Sequence, residues 1–136
     1  MNPLTPSQLW HFLPRGYLLS IAVETPVLLI GLSRRHGLGR RLFAGVWLTA
    51  CSYPIVVLVM PILFASSSYG LYLLVAETFA PVSECALFAA AFYRRGDPSG
   101  ARRIQDMIVI ILANLASFGF GVLAELMHWK WVQGSM

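Results

Sequence analysis

Three carboxylates, Glu24, Glu77 and Glu84, sit in stretches apolar enough to span a bilayer, and no Lys, Arg or His shares those stretches. A charge at membrane depth costs roughly 2.5–3.5 kcal/mol on insertion scales, so intramembrane carboxylates mark functional sites. With no cation on the same segments, each must be protonated, hydrogen-bonded, or neutralised by a group from outside. That chemistry suits the uptake of a proton or a cation. It equally suits contact with a cationic residue on a partner subunit, or hydrogen bonds from protonated Glu to Asn114, Tyr53 or Ser117 that hold helices together.

Helical spacing puts these residues on shared faces. Tyr17, Ser20 and Glu24 fall together on the first apolar stretch. Thr49, Ser52 and Tyr53 do so on the second, with Gly45 one turn before. Glu77, Pro81 and Glu84 line up on the third, and Asn114, Ser117 and Gly121 on the fourth. Each helix therefore carries one polar or small stripe, as expected of a bundle around a polar interior. Counting inward at about 1.5 Å per residue sets Glu24, Ser52 with Tyr53, Glu84 and Asn114 near the midplane. Glu77 lies two turns nearer one surface. The candidate ion, proton or substrate-binding residues are Glu24, Glu84, Glu77, Asn114, Tyr53, Ser52 and Ser117.

The elements that must carry them are four spans, roughly 17–32, 42–65, 71–93 and 104–127, each near the ~20 helical residues a hydrocarbon core requires. The whole chain, 1–136, reads as one all-α transmembrane domain, a four-helix bundle of two helical hairpins. Hydrophobic residues make up 57% of it and charged residues 12%, a balance that a soluble domain of this size could not bury. Residues 1–16 are expected at the outer interface, with Thr5 and Pro6 opening a short helix. They show no small-residue cleavage pattern, so a cleaved signal peptide is not expected. Eight of the ten basic residues occupy two loops: Arg34, Arg35, Arg40 and Arg41, then Arg94, Arg95, Arg102 and Arg103. The positive-inside rule makes both loops cytoplasmic and both termini external. The expected compartment is the bacterial plasma (inner) membrane. A pI of about 9.5 follows from those loops and needs no nucleic acid.

The hairpins echo one another: Tyr17-Leu18-Leu19 and Ala22-Val23-Glu24-Thr25-Pro26-Val27 against Tyr72-Leu73-Leu74 and Ala76-Glu77-Thr78-Phe79-Ala80-Pro81-Val82. This weak repeat would be parallel. Pro26 and Pro81 could free backbone carbonyls beside the glutamates. Asp106, beside Arg102 and Arg103, reads as a structural ion-pair residue, Glu125 as solvated, and His36 as part of a solvated loop. Ala113, Ser117 and Gly121 read as a small-residue contact face. Cys51 and Cys85 read as apolar fillers; as metal ligands they have no CxxC or Met-rich path beside them. No cofactor and no metal is called for, and no HExxH, GxSxG or Walker loop marks an enzyme. The expectation is proton- or cation-coupled translocation by a homo-oligomer in the lipid bilayer. The alternative is a non-enzymatic small subunit or assembly factor of a larger membrane complex.

Overall fold

The computed structural model of the chain describes residues 6–93 and 100–134. Four long helical stretches account for nearly all of them. α1 runs Pro6–Gly31 and α2 Leu38–Pro54; a π-helical turn, Ile55–Val59, leads into the short α3, Met60–Leu63; α4 is Tyr69–Phe92 and α5 Gly100–Gly134. Four stretches, Leu13–Gly31, Leu38–Leu63, Tyr69–Phe92 and Gly100–His128, are long and apolar enough to cross a membrane. The chain is an all-helical integral membrane protein.

Local chemistry explains the breaks. Pro54 lacks the N–H that would continue the ladder, and the helix widens behind it, with Met60 N–H reaching Ile55 O five residues back. Ser68 opens α4 by accepting Leu71 N–H on its hydroxyl at 3.2 Å, the usual remedy for an orphan first-turn donor. The first helix does not stop at the interface as expected: α1 continues from Pro6 through Pro14 to Gly31. A proline disturbs only the turn before it, and Pro14 falls where the following apolar run can carry the helix on. Thr5, the expected cap, and the Arg94–Arg95 pair lie outside the described residues.

α1 and α4 each pack against both α2 and α5, while α1 and α4 do not meet, and neither do α2 and α5, among the described residues. The four long helices thus form a ring with two diagonal pairs. Two close approaches tighten it. A Cβ on Gly45 would come within 3.0 Å of the Thr25 side chain and 3.1 Å of its Cα, and one on Gly31 would come within 2.7 Å of Val109. Small residues at such crossings let membrane helices gain dispersion contact that lipid cannot match. The small-residue face expected at Gly121 is different, because a Cβ there would meet nothing within 4 Å. Only that end of the face borders open space, since Ala113 is buried in the core and Ser117 reaches Glu24 of α1.

Around the ring, residues such as Ile30, Leu74, Val82 and Leu112 are exposed as lipid contacts would be. One packed apolar cluster joins Leu28, Leu32, Ala44, Leu48, Phe88, Val109, Ile110 and Ala113, and Val57, Met60 and Ala76 are buried outside it.

Gly45→Ala should therefore push α1 and α2 apart and cost about 1–3 kcal/mol, the usual penalty for overpacking. Gly121→Ala, with room for its Cβ, should be neutral or stabilise by up to about 1 kcal/mol through helix propensity. Thermal unfolding in detergent checks the pair; equal effects would contradict the helix crossing at Gly45.

Candidate functional site

Glu24 and Glu84 come from the diagonal helices α1 and α4, and their donors come from the other diagonal pair. Glu24, 4% exposed, has Ser117 Oγ of α5 at 2.6 Å from Oε1 and Thr49 Oγ1 of α2 at 3.0 Å from Oε2. Glu84, 2% exposed, accepts from Ser52 Oγ of α2 on Oε1 and from Asn114 Nδ2 of α5 at 2.8 Å on Oε2. Thr49 with Ser52, and Asn114 with Ser117, are each three residues apart, so one helix face feeds both carboxylates. Thr49 was absent from the sequence-derived set. Its signal was its spacing to Ser52.

Proton counting separates the two carboxylates. The hydroxyl of Thr49 also lies 2.9 Å from Gly45 O, and that of Ser117 lies 3.0 Å from Asn114 O. Each hydroxyl has one proton and two acceptors. Protonated Glu24 supplies a third proton, so one hydroxyl can accept from it while donating to its own helix carbonyl. Protonation thus adds one hydrogen bond to the network, while Glu24 itself keeps two. At Glu84 the Asn114 amide carries two protons and satisfies both Oε2 and Ile110 O, the latter at 3.0 Å.

Above these groups a cavity of about 430 Å³ opens toward one end of the molecule. Its deep wall is Glu24, Thr49, Ser52, Glu84, Asn114 and Ser117. Tyr53, Tyr72 and Glu77 line its middle, and Arg15, Tyr69 and Glu125 its mouth. Four carboxylates and one guanidinium therefore border a single space. Glu77 has no side-chain hydrogen bond among the described residues. Tyr53 faces the cavity, its ring 6.2 Å from that of Tyr17, without bonding either deep carboxylate. Glu125, expected simply in solvent, is exposed at the rim.

Below the carboxylates the apolar layer closes the ring, and beyond it lies a second polar cluster that the sequence reading missed. His36 is 1% exposed and Asp106 fully buried, so His36 does not lie in a solvated loop. Asp106 turns inward: it accepts from the backbone N–H of Ser33 at 2.7 Å and bonds His36 Nε2 at 2.9 Å. Tyr93 OH donates to it at 2.8 Å. Its sequence neighbours Arg102 and Arg103 suggest a local ion pair, but the buried carboxylate gathers loop and helix-end donors from the loop after α1 and the end of α4.

Cys51 and Cys85 are free and partly buried, with Cys85 Sγ 3.7 Å from Met107 O. Among the described residues no three His, Cys, Asp or Glu side chains converge as metal ligands would.

A double-mutant cycle between Glu24→Leu and Ser117→Ala should give a coupling of about 0.6–1.7 kcal/mol, the measured range for interhelical bonds in membranes. Glu77→Leu with Ser117→Ala should give none within error.

Comparison with protein-family models, with curated proteins and with solved structures gives no match, so the reading of this site rests on its own chemistry.

Proposed function

We propose that this chain binds and translocates a proton or a cation through its carboxylate-lined cavity. One observation carries the reading. A single cavity is lined by the exposed Arg15 and Glu125 and by the buried Glu24, whose two hydroxyl partners have more acceptors than protons. A proton arriving there gains a hydrogen bond and neutralises the buried carboxylate. A cation could replace it by Coulomb attraction to the same oxygens, which keep free acceptor capacity. Glu77, on the wall of that cavity, serves as the intermediate stop, and Glu84, held by an amide and a hydroxyl, as the second deep site.

By the positive-inside rule the cavity mouth is external and the arginine loops are cytoplasmic, in a bacterial inner membrane. The two parallel hairpins would then each bring one deep glutamate. Assembly as a homo-oligomer belongs to the same proposal. The rival reading, a non-enzymatic subunit whose carboxylates meet a partner's cations, has less in its favour, since both deep carboxylates find donors inside the chain.

Reconstituted into vesicles under an imposed pH gradient, the wild type should carry protons or cations above the leak of empty vesicles. Glu84→Gln keeps shape and hydrogen bonding while removing the exchangeable charge, and should fall to that leak. Glu24→Gln should be nearly as severe and Glu77→Gln milder. If wild type carries neither protons, metal ions nor organic cations, and Glu84→Gln instead releases a co-purifying polypeptide, the subunit reading holds.

A further inference from the structure

We propose that Asp106 and His36 form a latch that holds the arginine-rich end of the helices shut and opens to give the deep carboxylates their second exit. The inference rests on the translocation reading, which needs a way out opposite the cavity.

Three chain segments meet at the Asp106 carboxylate. The loop between α1 and α2 supplies the Ser33 N–H at 2.7 Å, the Ser33 hydroxyl at 3.2 Å and His36 Nε2 at 2.9 Å. The end of α4 supplies Tyr93 OH at 2.8 Å, and α5 supplies Asp106 itself. One side chain thus ties together every element at this end. Arg41 fastens the loop from above, donating to Leu29 O, Ser33 O and His36 O at 2.8, 3.2 and 2.9 Å. The Arg35 and Arg103 guanidinium groups stand 5.9 and 5.0 Å from the Tyr93 ring centre. Arg41, Arg35 and Arg103 are thus charged groups placed beside the cluster among the described residues.

Spacing puts the latch in series with the carboxylates. Glu24 is followed one turn on by Leu28, and Glu84 by Phe88; Asn114 is preceded one turn back by Ile110, and Asp106 lies one turn beyond that. Between the two polar layers stands one apolar layer, and eight residues of α5 span the gap, about 12 Å. Opening the latch and parting that layer would connect the carboxylates to the arginine-rich side.

The cluster also has a built-in reason to open. His36 Nδ1 is buried without a hydrogen-bond partner among the described residues, its ring set against Phe88 and Phe92 at 5.1 and 6.0 Å between centres. An unsatisfied buried nitrogen is costly, and water reaching it on opening would remove that cost. Three of the four donors crowd one oxygen, Oδ2.

The test places a reporter thiol in the apolar layer by Ala44→Cys, at a fully buried position, in a Cys51→Ser/Cys85→Ala background. The protein is held in lipid nanodiscs, so both faces meet a maleimide reagent. Adding Tyr93→Phe, which removes one donor, should raise the labelling rate about tenfold, the shift that one hydrogen bond to a charged acceptor gives an opening equilibrium. Asp106→Asn should raise it further. A control thiol from Gly121→Cys, in the cavity, should label at an unchanged rate. Unchanged labelling at the Ala44 position in a folded Tyr93→Phe protein overturns the latch, as does an equal rise at both positions, which is general loosening. In a second arm, Ser33→Cys/Asp106→Cys is oxidised to lock the segments together. Flux that stops on oxidation and returns on reduction supports the latch. Wild-type flux that the lock leaves untouched overturns it while translocation stands. Labelling that responds in a protein without flux keeps the latch and removes the translocation reading.

Discussion

In lipid a polar group must find its partner inside the protein, and here that constraint falls hardest on two buried carboxylates. Glu24 and Glu84 stand on helices that never touch each other, and each is satisfied only because α2 and α5 pass between them carrying hydroxyls and an amide at matched height. The ring of helices, the register of α2 against α5, and the cavity above all follow from that pairing. A one-residue slip of α5 would turn Asn114 and Ser117 off the shared face by about 100° and take one of two donors from each buried carboxylate. The polar interior fixes the arrangement more sharply than apolar packing could, since lipid tails compete with Leu and Val on equal terms.

The same spacing that satisfies the carboxylates lays down three levels. A cavity reaches Glu24 and Glu84, an apolar layer follows one turn on, and a second carboxylate, Asp106, gathers the loop and helix ends beyond it. A proton or cation site with water on one side and an apolar seal on the other is the elementary requirement for one-sided access. The bonded state of Glu24 depends on its proton through the inventory of donors and acceptors around Thr49 and Ser117. Charge, hydrogen bonding and helix packing are thereby coupled at one residue.

Much of this was legible in the residues. The four apolar stretches, the stripes of Ser20 with Glu24, Thr49 with Ser52, and Asn114 with Ser117, and the depth of the glutamates all follow from period and rise, and those stripes border one cavity. What escaped was anything decided by neighbours far along the chain. His36 sits in an arginine-rich loop whose composition says solvent, and only the approach of α4 and α5 buries it. Asp106 was assigned to its local arginines because sequence proximity cannot weigh a donor seventy residues away. Gly121 looked like a contact and borders open space, whereas Gly45, noted only for its place in a stripe, sets the closest crossing.

The central claim is that Glu24 and Glu84 exchange a proton or a cation with the aqueous phase through the cavity. Infrared spectra of the protein in lipid, recorded while the bulk pH is cycled, follow the carbonyl stretch of protonated carboxyl groups directly. The account predicts a band that grows and fades reversibly with pH, shrinks when a bound cation competes, and is largely missing from Glu24→Gln/Glu84→Gln. A carboxyl band that stays constant across the cycle, or one that responds to pH equally well in the doubly substituted protein, would contradict it.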